Sequence, residues 1–224
     1  MRLLYSIDDL ALVPGPTHLA IGVFDGVHLG HQAVIGRVVR NARRSGGNAV
    51  VATFDPHPLR VLRPGKAPRL LMKPLQKRRL IEELGVDALL TITFTREFAK
   101  TPPERFIQGL HHAANELREI CVGEGWRFGA NRSGETGLLK AIAEPLGITL
   151  NAESSILIDN GVVSSTRVRR AVRRGDLSTA TRLLGRPFAL WGIIAAEGAA
   201  LWAKEIQDMD GRAEDGAEVS ELVF

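Results

Sequence analysis

The chain is poor in cysteine, in aromatic residues and in long apolar runs, and each shortage closes off a class of protein. One cysteine, Cys121, in 224 residues excludes an internal disulfide framework and suits a reducing compartment. No apolar run approaches the ~20 residues that span a bilayer. Asp8 and Asp9 stand where a secretion signal would have its apolar core. A cytoplasmic protein with no membrane partner is therefore expected. Aromatic residues make up only 5% of the chain, and none interrupts the basic stretch Arg167 to Arg174. With no reader motif beside that stretch, a nucleic-acid partner is not expected.

What is present is the composition of an ordinary globule, 45% hydrophobic and 24% charged, long enough for one sizeable core or one domain with an appendage. The charge is unevenly placed. From Ala195 onward there are eight acids and two bases, which leaves the preceding residues 27 Lys+Arg against 17 Asp+Glu. A positive body suits an anionic small molecule.

Five apolar strand candidates, Leu19–Phe24, Ala49–Phe54, Ala88–Phe94, Glu119–Val122 and Ile148–Ala152, alternate with helical patterns near His31–Arg44, Pro74–Leu84, Pro103–Glu116 and Glu135–Leu146. Such alternation predicts an α/β fold with a parallel central sheet and helices on both faces. Ligands of such sheets bind at the carboxyl ends of the strands. Three candidates run there into Gly-, Pro- or His-rich segments: Asp25–Gly30, Asp55–Pro58 and Gly123–Gly134.

The first of these turns is the most informative. Gly22, Phe24, Asp25 and Gly26 lead from a strand into His28-Leu29-Gly30-His31, and a helix opens with Val34, Ile35, Val38 and Val39 on one face. Glycine lets the backbone turn tightly and approach a ligand. The turn delivers two imidazoles to a helix N-terminus, where free N–H groups and the dipole favour phosphate. A metal pair or two capping histidines remain the other readings of the same residues.

Near the other end, Ser164-Ser165-Thr166 caps a helix whose first turns hold Arg167 and Arg169. Cations there oppose the helix dipole unless an anion sits beside them. Gly175 closes that helix, and Leu177 to Leu184 forms another before Gly185 and Pro187. Beyond Trp191 the pattern weakens, and residues 191–224 are expected to form a short acidic tail.

Together the segments Gly22–His31, Thr53–Pro58, Val122–Gly134, Val163–Arg169 and Gly175–Phe188 resemble, in the same order, the FMN adenylyltransferase (FAD synthetase) module of bacterial bifunctional riboflavin kinase/FAD synthetases. The resemblance covers roughly residues 15 to 190, places residues 1–190 in one domain and implies a Rossmann-like HxGH nucleotidyltransferase fold, α/β with a parallel central sheet. It implies that ATP gives its adenylyl group to FMN, forming FAD and pyrophosphate with Mg²⁺ on the phosphates. The alternatives are transfer to another phosphorylated small molecule, or a non-catalytic flavin- or nucleotide-binding relative.

The roles implied by the resemblance are catalytic for His28, His31 and Arg169. They are nucleotide binding for Gly22, Phe24, Asp25, Gly26, Gly30, Ser164, Ser165 and Thr166, and flavin binding for Pro56, His57, Pro58, Trp126 and Phe128. No protein ligand for a metal and no oligomeric state is implied. Two departures stand out. Gly125-Trp126 replaces the Asn/Asp-Phe that precedes Arg127-Phe128-Gly129 in the family, which predicts either a buried site short of one polar partner or a flavin wall rebuilt by the stacking of Trp126. The second is that no riboflavin kinase domain is expected after Phe188.

Overall fold

The computed structural model describes residues 1–130, 133–193 and 219–223. Its centre is a six-stranded sheet of β1 (Arg2–Leu4), β2 (Pro16–Ile21), β3 (Asn48–Asp55), β4 (Ala88–Thr93), β5 (Glu116–Gly123) and β6 (Thr149–Glu153). The strands run in the order β1-β4-β3-β2-β5-β6, and every neighbouring pair is parallel. The chain direction across the sheet reverses between β2 and β5. A switch point of this kind opens a crevice at the carboxyl ends of its two strands.

Alternation along the strands divides the core in two. Leu19 and Ile21 of β2 join a cluster with Phe106, Ile107 and Leu110 of α4 (Pro103–Ala113) and Leu139 of α5 (Thr136–Ala143). Ala20 faces the opposite way, against Val34, Ile35, Val38 and Ala42 of α1 (Leu29–Ser45) and Ile81 of α3 (Pro74–Glu83). Helices therefore cover both faces, as a parallel sheet with apolar residues on each side requires.

A third, smaller core joins Val168 of α6 (Ser165–Arg173) to Leu183 and Leu184 of α7 (Leu177–Leu184), with Leu71 and Phe188. It sits against the turn after β2, and the short helix α2 (Pro58–Leu62) follows β3 at the same edge.

The sequence misplaces a few boundaries. The first strand ends at Ile21, so Gly22 to Phe24, expected within it, belong to the turn. Phe24 and Val27 take left-handed φ of 52° and 38°, which no strand accommodates. β1 has three residues, too few for a periodic signal. The helix expected to reach Leu146 ends at Ala143 and continues as a 3₁₀ turn. Much of the expected acidic tail lies outside the described residues. Within it, Val219–Val223 forms β10, antiparallel to β9 (Ala189–Ile193), because its β-prone residues find a strand to pair with. The antiparallel pair β7 (Leu157–Ile158) and β8 (Gly161–Val162) precedes α6.

Candidate active site at the carboxyl edge of the sheet

The turn after β2 is held in a conformation that few residues tolerate. Gly26 has φ 92°, and a Cβ there would lie 2.7 Å from Leu71 Cδ1. Arg186 donates to the Gly26 and Val27 carbonyls at 2.9 and 3.1 Å, and Gln32 donates to Val27 O at 2.8 Å. These bonds offset the strain of a left-handed, β-branched Val27.

The pinned turn sets His28 as the N-cap of α1, its Nδ1 accepting the His31 N–H at 3.3 Å. The two imidazoles stack with centroids 3.6 Å apart, and the Phe24 ring meets His31 edge-on at 5.2 Å. Gly30 allows the stack, because a Cβ there would come within 3.3 Å of the His28 ring. A Cβ at Gly22 would strike the Phe24 ring at 2.8 Å.

Burial, reinforced by the nearby cations of Arg169 and Arg186, pushes His28 down to about 4. Burial holds His31 well below its ordinary value, with His28, Lys77 and Arg169 adding to the effect. Both rings are thus neutral near pH 7. With Nδ1 of His28 committed as acceptor, its Nε2 carries the proton and donates. Nδ1 of His31 is buried with no partner among the described residues.

Opposite this pair stands the start of α6. Ser164 caps it by accepting the Arg167 N–H at 3.3 Å. Ser165 Oγ donates to Asp25 O at 2.7 Å, so in this arrangement its proton serves the turn. Thr166 is exposed on the first turn. Asp25, only 5% exposed, accepts the Leu71 N–H at 3.0 Å and pairs with Arg169. Arg169 also gives Nε to Arg69 O at 2.7 Å. Its Nη1 has no hydrogen-bond partner among the described residues.

Lys77 of α3 is the participant that sequence reasoning missed. It donates to Thr53 Oγ1 at 3.1 Å and Val23 O at 3.4 Å, and burial lowers its pKa even though Asp55 and Asp25 lie near. Its signal was a lysine one turn before the buried Ile81, on the apolar stripe of an amphipathic helix. Thr53 also donates to Val23 O, at 3.0 Å. A half-buried cation, a paired guanidinium and two neutral imidazoles at a helix N-terminus are groups whose chemistry suits phosphate.

His57 caps α2, accepting the Leu59 N–H at 3.1 Å, and burial lowers its pKa. Pro56 beside it is exposed and Pro58 is half-buried. Trp126 and Phe128 stack in parallel, 4.6 Å apart and inclined by 10°. Phe128 is buried in the core, while Trp126 is half-buried above it. The sequence places Gly125 in a buried site; the structure corrects this, for Gly125 is exposed and a Cβ there would meet nothing within 4 Å.

The FAD synthetase family model matches residues 12–167, which span β2 to β6 of the sheet, the turn and the first residues of α6. The chain belongs to the FAD synthetase family. The FAD synthetase of Listeria monocytogenes serovar 1/2a (strain ATCC BAA-679 / EGD-e) is 33% identical over 178 residues, 79% of this chain and 71% of that protein. The bifunctional riboflavin kinase/FMN adenylyltransferase of Escherichia coli (strain K12) is 34% identical over 193 residues, 86% of this chain. The chain spans 62% of the length of that relative. A crystal structure of a macrolide-efflux protein from Streptococcus pneumoniae superposes with TM-score 0.74 at 25% identity, over 86% of this chain and 64% of that one. Among the described residues no helix is long and apolar enough to cross a membrane.

Proposed function

We propose that this member of the FAD synthetase family transfers the adenylyl group of ATP to FMN, giving FAD and pyrophosphate, and that residues 1–190 carry the activity. The observation that carries this reading is the stacked His28–His31 pair at the start of α1, facing Arg169 across the pinned Asp25.

In this reading the ATP phosphates lie over the free N–H groups of the first turn of α1. An FMN phosphate oxygen attacks the α-phosphorus, the bond to the β-phosphate oxygen breaks, and pyrophosphate leaves with the electron pair. No protein nucleophile is needed; positioning and charge stabilisation lower the barrier. The Nε2–H of His28 donates to the oxygens of the α-phosphate as negative charge shifts there. His31, stacked on His28 with its Nδ1 sealed in the interior, supplies a second ring edge through Nε2. Arg169 Nη1 and Lys77 meet the charge on the departing pyrophosphate. Ser164 keeps its own hydroxyl proton for a phosphate oxygen.

Magnesium enters with ATP. Among the described residues no three His, Cys, Asp or Glu side chains gather to hold a metal, and the Asp25 carboxylate is taken by Arg169 and Leu71 N–H. That donor set fits an ion held on the nucleotide by phosphates and water. The isoalloxazine would meet Trp126, His57 and the two prolines. The buried thiol of Cys121 and the absence of a membrane-crossing helix among the described residues support a cytoplasmic setting.

The test is a panel of phosphorylated acceptors with MgATP, read by pyrophosphate release and FAD fluorescence. FAD should form with FMN. Turnover of another acceptor with none of FMN would replace this reading, and ATP or FMN binding without chemistry would make the chain a binding protein.

A further inference from the structure

The amino edge of the sheet, opposite the nucleotide site, carries a second group of reactive side chains. The β2–β5 register sets His18 directly across from Glu119, so both side chains leave the same face of the sheet. α1 crosses that face, and Asn41 and Ser45, one turn apart on it, meet the pair. His18 Nδ1 lies 2.6 Å from Glu119 Oε2, and His18 Nε2 lies 2.7 Å from Ser45 Oγ. Asn41 and Asn151 both donate to Glu119 Oε1, at 2.9 and 2.6 Å. His18 and Glu119 are 6% and 2% exposed, whereas Ser45 is open to solvent. All five line a cavity of about 710 Å³.

Two amides fix one oxygen of the Glu119 carboxylate, and the other faces His18 Nδ1. With the Nδ1 proton donated there, Nε2 is an acceptor aimed at the Ser45 hydroxyl. A buried acid orienting a buried base beside an accessible hydroxyl is the order a nucleophilic serine needs. A further group on the cavity wall can meet negative charge: the exposed guanidinium of Arg44, next to Ser45 in the chain. The adenylyl-transfer reading uses none of these residues.

We propose that this cavity is a hydrolytic site for small carboxylic esters, independent of the nucleotide site. Ser45 Oγ attacks the carbonyl carbon while His18 Nε2 takes the hydroxyl proton, and Arg44 on the same cavity wall offsets the developing oxyanion. Collapse expels the alkoxide, which takes the proton from His18 and leaves as an alcohol. Water then attacks the acyl-serine, giving its proton to His18. The ester bond to Ser45 breaks, a carboxylic acid departs, and the serine oxygen recovers the proton.

The competing arrangement is visible in the same bonds: Ser45 Oγ also reaches Ala42 O, at 3.2 Å. A proton held there would make the trio a structural network only.

The full chain is treated with a fluorophosphonate and the adduct located by peptide mass spectrometry. One adduct per chain should form on Ser45, disappear in Ser45→Ala, and form at least about tenfold more slowly in His18→Asn. Hydrolysis of p-nitrophenyl acetate should fall in parallel. No adduct on Ser45, or an equal rate in folded His18→Asn, overturns the proposal. If His18→Asn does not fold, Ser45→Cys decides. Iodoacetamide should then alkylate position 45 at least about tenfold faster than it does in the same chain unfolded in urea, because a paired imidazole activates a thiol. An equal or slower rate overturns the proposal. Cys121, buried with its thiol pushed up to about 12, stays out of that reading.

Discussion

The two halves of the carboxyl edge are built on different principles. On the nucleotide side, buried charges and imidazoles hold one another: Asp25 with Arg169 and Leu71, Lys77 with Thr53, His28 with His31. On the loop that follows β5, two rings stack, Gly125 stands in open space, and Arg127 pairs with Glu135 in solvent. The groups proposed to meet developing charge are fixed from several directions, as electrostatic preorganisation requires. A wall for a planar acceptor needs only a flat apolar face. Single changes should therefore be costly on the first side and mild on the second.

The largest contrast should appear in stability. Asp25→Ala leaves Arg169 uncompensated among other cations, and breaking such a buried pair should cost about 3–5 kcal/mol. Arg127→Ala removes a pair in which both side chains are at least half exposed, and should cost less than about 1 kcal/mol. Urea denaturation of both variants measures the difference. Equal losses would break the comparison.

Activity comes next. His31→Ala and His28→Asn should each lower FMN adenylylation by about 10²–10³ while FMN affinity changes little, since the groups act where charge develops. Asparagine at 28 keeps an N-cap acceptor for the His31 N–H, so helix capping survives and only the Nε2 donor is removed. Full turnover in folded His28→Asn would return His28 to a capping role. Steady-state kinetics with a separate FMN titration give both quantities.

The same imidazoles predict an acid limit. His28 falls from 6.5 when unfolded to about 4 in the folded chain, and His31 moves in the same direction. Between those values the unfolded state binds more protons, so stability is fully present above pH 6.5 and withdraws as pH falls toward 4. For His28 the loss should be about 3 kcal/mol. Urea midpoints followed from pH 7 to 4 should drop less steeply in His28→Asn. An identical slope would place the acid sensitivity elsewhere.

Most of the layered fold, and the clustering of the residues proposed to hold nucleotide, were legible because they rest on local rules. Strand and helix periods gave β2 to β6, α1 and α3 to α7 with small errors at their ends, while the five-residue α2 was too short to be read; Ser164 and His28 announce their helices through capping chemistry. What the sequence hid is non-local. Lys77 of α3 reaches Thr53 of β3, 24 residues earlier, and Arg186 clamps the Gly26 and Val27 carbonyls from 160 and 159 residues away. The pairing of His18 with Glu119 depends on register across two strands far apart in the chain. Periodicity assigns a residue to a face but does not say which distant residue shares it.

Position 125 offers the smallest effect and the sharpest test of the acceptor side. A glycine beside a large ring suggests a volume exchange, in which Trp126 fills the room of the family's polar side chain and restoring that side chain over-packs the wall. The geometry removes the clash. A Cβ at 125 meets no atom within 4 Å, the glycine does not need a left-handed φ, and Trp126 packs toward Phe128 instead. An added carboxamide gains no buried partner either, because the position is exposed. Gly125→Asn should therefore change stability by no more than about 0.5 kcal/mol, as surface substitutions do. Turnover with FMN should stay within about threefold of the parent, whereas Trp126→Ala removes a face worth about 1 kcal/mol in stacking and should raise the FMN KM several-fold. A tenfold gain in turnover from Gly125→Asn would show that the loop closes onto the flavin during reaction, making the acceptor side as closely fitted as the nucleotide side.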